Sequence, residues 1–327
     1  MIQELLCLKT RDTDPRHNLA LEAYLLERVR PGQCILYLWQ NQRTVVIGRN
    51  QHAQSECRVQ ALEADGGRLV RRLSGGGAVY HDLGNLNFTF LTVREDYDVE
   101  KQTEAILQAV RSLGVPAERN GRNDLTAQGG KFSGHAYYRS GARCYHHGTL
   151  MVSVDLAPLE RYLNVSPLKL QAKGVASVRS RVVNLRDFCP DLTIDALCEA
   201  LATAFSSAYG LPVRTLTEAE LDQDALGKGI ARFSDPAWIY GDTRPLDVSR
   251  EALFPWGLLR LDYSLEGEVI TQAAVWSDAL ETEYLTRVPE ALEGCPRQRE
   301  AVRQRLSALP DAREDTLEGI LALLMEE

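Results

Sequence analysis

Residues 71–82, Arg71-Arg72-Leu73-Ser74-Gly75-Gly76-Gly77-Ala78-Val79-Tyr80-His81-Asp82, run two arginines into three consecutive glycines. Glycine has no Cβ, so its backbone N–H can approach an anion closely and φ > 0 carries no steric cost. Arginine adds a permanent charge and a forked set of donors that fits carboxylate or phosphate. Together they read as a cradle for an anionic ligand. No Gly-Lys-Ser/Thr follows, so this is not a Walker A loop, and the Gly-x-Gly-x-x-Gly dinucleotide spacing is absent. A glycine-rich hairpin beside two surface arginines is the plainer alternative.

A second group is Asn123-Asp124 followed by Gly129-Gly130-Lys131-Phe132-Ser133-Gly134-His135-Ala136. A lysine entering a strand among small residues leaves room for a ligand beside its ammonium. Asp124, near a phosphate site, is a candidate Mg²⁺ ligand, since that ion is often held by one or two carboxylates plus water. A turn-forming aspartate and a solvated hairpin lysine are the alternative. A third group is His146-His147-Gly148-Thr149. Adjacent strand residues point to opposite faces, so the two histidines do not form a metal pair. One is expected to hydrogen-bond inside the fold and the other to be exposed. A fourth group, Lys169 to Asn184, places Lys169, Lys173, Arg179 and Arg181 in a short, irregular stretch suited to gripping an anion. Cys144, beside Tyr145 and His146, raises a nucleophilic thiolate as a further reading, set against an inert buried thiol.

These groups must be positioned by a chain of 327 residues, 44% hydrophobic and 25% charged, which is ordinary globular composition. The length allows two domains. A net charge of −8 disfavours a general nucleic-acid binder. Six lysines stand against 31 arginines, so a retained lysine such as Lys131 stands out. Seven cysteines without a Cys-x-x-Cys pair argue against a disulfide framework or zinc ribbon and for a reducing compartment. No apolar run is long enough to span a bilayer, and no leader is recognisable. A cytoplasmic protein is expected.

Helical periodicity over Leu19–Val29, Glu100–Leu113 and Ile194–Tyr209, and from a cap at Ser55 to Ala64, alternates with strand-like runs. The strands are Cys34–Trp39, Thr44–Ile47, Arg68–Leu73, Asn85–Val93, Arg122–Ala127, Phe132–Tyr138 and Arg143–Val154; Pro158–Leu163 reads as a short helix. Single helices between clustered strands favour α+β over a doubly wound parallel sheet. A change in composition at Tyr240–Arg250 marks a linker. Beyond it, strands Trp256–Ser264 and Glu268–Trp276 and helices near Ala279–Leu292, Arg297–Ala308 and Thr316–Met325 form a small α+β unit. The expected domains are 1–243 and 251–327.

Taken together, the sequence resembles the lipoate–protein ligase A family of the biotin/lipoate ligase superfamily. The resemblance rests on Asn18–Glu22, Thr44–Arg49, the block from Arg71 to Asn85, Gly121–Leu125, Lys131–Tyr137, His146–Leu150 and Lys173–Leu185, in the family's order, with Trp238–Gly241 leading into its accessory domain. It implies a mixed β-sheet with flanking helices, carrying a ligase that uses ATP as co-substrate together with Mg²⁺ and has no tightly bound cofactor. Lipoate is activated to lipoyl-AMP with loss of pyrophosphate. The lipoyl group then moves to a lysine of a lipoyl acceptor domain, the E2 subunit of a 2-oxoacid dehydrogenase or the glycine cleavage H protein.

By the same resemblance, ATP and lipoate are held by Arg71, Arg72, Ser74, Gly75, Gly76, Gly77, Ala78, Val79 and Tyr80. Asn123, Asp124, Lys131, Ser133, Gly134, Ala136, His147, Gly148 and Thr149 complete that site. Lys131 is the catalytic residue, between the lipoate carboxyl and the nucleotide phosphate; Asp124, on the reading of the residues above, is the candidate Mg²⁺ ligand. Lys173, Gly174, Ser177, Val178 and Arg179 form an adenylate-binding loop. Carboxylate attack on phosphate brings two anions together, so positioning and charge neutralisation carry such a reaction. His135 departs from the small residue common in the family; its ring either crowds the pocket or points away. Rival readings are an ATP-independent acyltransferase working through Cys144, and a non-catalytic lipoate-binding module.

Overall fold

The computed structural model describes residues 1–121, 123–164, 168, 182–241 and 244–326. Asp14 opens the first helix, Pro15–Arg28, by accepting from Arg16 N, with Pro15 at a position where its missing N–H costs nothing. Asp98 and Thr193 cap the Val99–Ser112 and Ile194–Tyr209 helices in the same way. Gly210 ends the last of these with φ of 66°, in the left-handed region that glycine enters freely.

Fifteen strands are described: β1 (Glu4–Lys9), β2 (Gln33–Trp39), β3 (Thr44–Ile47), β4 (Arg68–Arg71), β5 (Val79–His81), β6 (Asn85–Val93), β7 (Ala117–Asn120), β8 (Asp124–Ala127), β9 (Gly130–Ser140), β10 (Arg143–Met151), β11 (Val213–Leu216), β12 (Val248–Phe254), β13 (Gly257–Glu266), β14 (Val269–Ser277) and β15 (Cys295–Pro296). The large sheet has the order β11-β1-β2-β6-β10-β9-β8-β7. It is mixed: β1 runs parallel to β2 and β11, and the remaining pairs are antiparallel. One face packs Phe88, Phe90 and Phe132 against the Val99–Ser112 and Ile194–Tyr209 helices. The other packs Tyr37, Trp39, Leu91 and Tyr145 against the Pro15–Arg28 helix and against a small sheet, β4-β3-β5. The Arg71–Tyr80 segment links β4 to β5 and therefore lies over this second face.

A four-stranded antiparallel sheet, β12-β13-β14-β15, with helices Glu283–Leu292, Arg299–Ser307 and Glu314–Met325, forms a separate core of its own. The expected α+β architecture is present. Four expectations change. The linker read at Tyr240–Arg250 is partly strand, because β12 begins at Val248 and gives this unit an edge strand beyond the two expected. The helix read from Ser55 to Ala64 is two short helices, Ala53–Glu56 and Val59–Ala64, broken after Cys57, whose N–H closes the first helix on Ala53 O while Arg58 N donates to Tyr162 O instead. His52, not Ser55, caps the first, accepting from Ser55 N. β1 and the Gln223–Ser234 helix were not anticipated; β1 is a short run in which Gln3 and Glu4 mask the alternation. No helix among the described residues is long and apolar enough to cross a membrane.

Candidate active site

The second face of the large sheet carries the site. Strand alternation puts Trp39, Asn87 and Thr149 side by side on β2, β6 and β10. Two residues along, Tyr37, Thr89, His147 and Ala136 form the next row. On β9 the alternation is broken on purpose. A bulge opposite Leu125/Thr126 pairs Thr126 with Lys131 and Asp124 with Gly134, so Phe132 is the extra residue. Lys131 and Gly134, three apart, consequently share a face with Asp124. The Lys131 ammonium lies 2.7 Å from Asp124 Oδ1, and both side chains are about three-quarters buried. A Cβ on Gly134 would stand 2.9 Å from Lys131 Nζ, so the ammonium lies across this glycine. Gly134 N donates to Thr149 Oγ1, at 3.3 Å. Asn123 brackets the same turn: His135 N donates to Asn123 O and Asn123 Nδ2 returns to His135 O. Val183 N donates to Lys131 O, tying the strand start to the end of the fourth group.

Ser133 and His135 occupy the opposite face. Ser133 is fully buried, and its hydroxyl lies 3.1 Å from His135 Nε2. His135 Nδ1 lies 2.9 Å from His146 Nε2, whose Nδ1 meets Gln102 Oε1 at 3.1 Å. The His135 ring therefore points away from Lys131, edge-on to Phe88. That settles the open question about His135, and it separates Ser133 from the other expected ligand residues. Gly148 keeps this arrangement possible, since a Cβ there would meet Gly134 O at 2.5 Å and Phe88 at 2.7 Å. Burial pushes the His135 pKa down to about 3, with Lys131 and Arg119 adding repulsion, and holds that of His146 well below the usual imidazole range, with His135 adding repulsion.

The expectation of one buried and one exposed histidine is corrected: His146 and His147 are both buried, on opposite faces. On the site face His147 Nδ1 lies 2.8 Å from Glu22 Oε1 and Nε2 lies 2.7 Å from Ser74 Oγ. With Nδ1 donating to the carboxylate, Nε2 accepts from the serine. Thr89 also donates to Glu22, and Trp39 Nε1 to Thr89. This chain joins helix, sheet and glycine segment. Glu22 was quoted for the resemblance but not assigned a role; an acid on the buried stripe of an amphipathic helix is the signal that marks it.

The two arginines do not present their forks to an open site. Arg71 donates to the carbonyls of Gly48, Arg49, Gln51, Trp238 and Ile239 at 2.7–3.1 Å. Arg72 donates to Val46 O, Gly75 O, Gly77 O and Ser74 Oγ. Burial pushes both pKa values down to about 10, which leaves both charged at neutral pH. Arg71 is thus corrected from ligand donor to a brace, and Arg72 shapes the glycine turn while placing its charge beneath it. Gly76 adopts φ of 90°, and its N–H donates to Ala279 O of the C-terminal unit at 3.1 Å. A Cβ on Gly75 would stand 2.1 Å from that same carbonyl. Gly77 and Ala78 are reachable from outside, and Val79 packs inward over the site face. Tyr80 points to the outer core, its ring 5.7 Å from Tyr162, so any ligand contact it makes runs through its backbone.

Cys144 faces the Phe88/Phe90 side. It is fully buried, its Sγ donates to Thr92 O, and burial pushes its thiol up to about 11. It has no histidine partner and lies on the wrong face for the site, which removes the structural basis of the cysteine-transferase reading. Arg122, Lys169, Lys173, Gly174, Ser177, Val178, Arg179 and Arg181 lie outside the described residues. Among those described, no three His, Cys, Asp or Glu side chains form a metal-binding group.

Residues 14–206 match the Lipoyl protein ligase A/B catalytic domain family, and residues 244–324 match Bacterial lipoate protein ligase C-terminus. A lipoate-protein ligase A from Psychrobacter cryohalolentis is 40% identical over 297 residues, 88% of each chain. The solved structure of LipL1 from P. falciparum in complex with lipoate superposes with a TM-score of 0.87 over 99% of this chain and 100% of that one, at 26% identity. A lipoate-protein ligase A bound with ATP gives 0.64 over 74% and 99%, at 30% identity. A bi-partite lipoate protein ligase from Thermoplasma acidophilum, studied with its E2 lipoyl domain, gives 0.65 over 76% and 100%, at 31% identity. A buried glycine turn over a mixed sheet, a bulge-presented lysine and a match along both units lead to one assignment: the chain belongs to the lipoate–protein ligase A family.

Proposed function

We propose that this protein activates lipoate with ATP at Lys131 and transfers the lipoyl group to a lysine of an acceptor domain, with 1–243 as the catalytic domain and 251–327 as the accessory domain. The observation that carries the reading is the β9 bulge, which turns the Lys131 ammonium onto the face shared by Gly134, Asp124 and Thr149. In the first step a carboxylate oxygen of lipoate attacks the α-phosphorus and the bond to pyrophosphate breaks. Lys131 lies between the two anions and lowers their repulsion, an effect that is strong where water is excluded. Arg72 adds a fixed charge under the glycine turn. Asp124 fits Mg²⁺ that arrives with the nucleotide, because one carboxylate plus phosphate oxygens suffices for that ion; Mg²⁺ would supply charge neutralisation on the phosphates. In the second step the acceptor ε-amine attacks the acyl carbon, loses a proton, and AMP departs. No enzyme nucleophile is needed.

The acceptors proposed are lipoyl domains of 2-oxoacid dehydrogenase E2 subunits and the glycine cleavage H protein, in the cytoplasm; the seven unpaired cysteines suit a reducing compartment. Gly77, Ala78, Asn123, Ala136, His147, Gly148 and Thr149 complete the ligand walls, and Lys173, Gly174, Ser177, Val178 and Arg179 are the proposed adenylate-binding residues. The test is pyrophosphate release with lipoate, octanoate and biotin in parallel. Lipoate is expected to drive release in the native protein, and Lys131→Met to lower it by about a hundredfold or more with an unchanged melting temperature. Full activity in that variant refutes the role given to Lys131.

A further inference from the structure

Arg49 and Arg232 lie against one indole ring. The Arg49 guanidinium stands 4.2 Å from the Trp238 ring centroid and that of Arg232 4.8 Å, so the two charges are within about 9 Å of each other. The ring is held in place: its Nε1 donates to Arg71 O at 2.9 Å, and Phe233 packs edge-on to it. Two cations this close repel. Burial lowers the Arg49 pKa, and Arg232 opposes its charge further. Guanidinium nevertheless keeps its proton at neutral pH. Lys228 stands one turn before Arg232 on the Gln223–Ser234 helix, on the same side of it, and both are exposed.

The counter-charge is missing. Elsewhere surface arginines are matched: Arg28 meets Asp222, Arg68 meets Asp14, Arg161 meets Asp65 and Arg303 meets Glu314. Among the described residues, no carboxylate comes within ion-pair reach of Arg49, Arg232 or Lys228. Glu283 of the C-terminal unit attracts Arg49 only from farther off and is itself paired with Arg287, at 3.9 Å. Asp235, next to Arg232 along the chain, is engaged as the cap of the Pro236–Tyr240 helix. Three uncompensated cations side by side, in a chain of net charge −8, point to an anion that arrives from outside.

Position decides which anion this is. Arg49 N donates to Ser74 O at 2.9 Å, and a Cβ on the preceding Gly48 would meet Gly76 O at 2.2 Å. The patch is therefore rooted at the base of the glycine turn. Its guanidinium lies toward Tyr138. Tyr138 is four residues along β9 from Gly134, or roughly 13 Å, which sets the patch apart from phosphates held at Lys131. An acceptor lysine, by contrast, has to reach an acyl group under the glycine turn, so the body of the acceptor rests on the rim around it. Cations spread over a helix turn and a loop suit several carboxylates on a protein face, and they steer an acidic partner to a chain that otherwise repels it. We propose that Arg49, Arg232 and Lys228 form a docking surface for an acidic face of the acceptor domain, beside its target lysine, an inference that rests on the ligase reading above.

The experiment follows lipoyl transfer to the apo forms of a glycine cleavage H protein and of an E2 lipoyl domain, beside pyrophosphate release without acceptor. The double variant Lys228→Glu/Arg232→Glu changes only exposed side chains and should keep its melting temperature. Its KM for acceptor is expected to rise about tenfold, with kcat, pyrophosphate release and the ATP Kd unchanged. In the native protein the acceptor KM should rise between about 50 and about 300 mM salt, and the double variant should lose that dependence. Arg49→Gln should raise the acceptor KM as well and leave the ATP Kd in place. An unchanged acceptor KM in the folded double variant, a native KM indifferent to salt, or an Arg49→Gln variant that weakens ATP alone overturns the docking surface while leaving the ligase reading intact. Native protein that neither releases pyrophosphate nor lipoylates either domain overturns both.

Discussion

Arg71 shows how a residue chosen for its chemistry can be occupied by the fold. Its guanidinium has five N–H groups on three nitrogens, and each nitrogen donates to backbone carbonyls, those of Gly48, Arg49, Gln51, Trp238 and Ile239. These carbonyls belong to the turn after β3 and to the Pro236–Tyr240 helix, so one side chain ties three separate segments together. Lysine has three donors on a flexible stem and cannot span the fork. Arg71→Lys should therefore leave several buried carbonyls unpaired and destabilise the fold by about 3 kcal/mol, read as a lowered denaturation midpoint. Residual protein that stays folded should keep its KM for ATP, since no ligand contact is lost. A raised KM for ATP with unchanged stability would restore Arg71 to the binding set. The sequence shows two arginines and their donors but not which acceptors reach them; those acceptors are backbone oxygens, which every residue carries.

At the level of elements, β9 is the decisive one. Its bulge places Lys131, Gly134 and Asp124 on one face and sends Ser133 and His135 to the other. Gly134→Ala would put a methyl group 2.9 Å from Lys131 Nζ and 3.1 Å from Cε, both at the far end of a flexible side chain. The ammonium should give way while the strand stays intact. Lipoyl-AMP formation is expected to fall about tenfold to a hundredfold, as a misplacement of about 1 Å does, with the melting temperature nearly unchanged; undiminished formation would show that the ammonium need not sit there. The elements themselves were largely legible. β3, β6 and the Ile194–Tyr209 helix have the bounds read from the sequence: the two strands are buried on both faces as short apolar-rich runs, and the helix turns its apolar stripe to a single core. The bulge was not, since Lys131-Phe132-Ser133 gives no local signal for which residue is left unpaired. Strict alternation would keep Lys131 and Ser133 on one face; the bulge instead sends Ser133, which the resemblance grouped with the ligand residues, to the other. Glu22 was illegible for the converse reason: its partners His147 and Thr89 are far along the chain, so a buried acid looks like any helix acid until the sheet is assembled.

Across the whole molecule, histidines record how firmly the two faces are sealed. Four of the six have lowered pKa values, chiefly because burial disfavours the charged ring: His52, His81, His135 and His146. They lie in different places. His52 packs on Trp276 of the C-terminal unit, His81 beside Trp39, and the His135–His146 pair under the sheet. In the unfolded chain each titrates near about 6.5; in the fold His81 and His135 stay neutral down to about 3. Between these values the unfolded state binds more protons than the native one, so stability is full above about 6.5 and declines as the pH falls toward 3. Unpaired carboxylates titrate near about 4, so the span from pH 6.5 to 5 isolates the histidines. The melting temperature should fall steadily across it, and His146→Gln, which keeps a polar side chain beside Gln102 without a titrating ring, should flatten the slope even if its plateau is lower. A melting temperature independent of pH over that span would mean that water reaches these rings, and the sealed sheet faces that hold Lys131 and the glycine turn in register would have to be reconsidered.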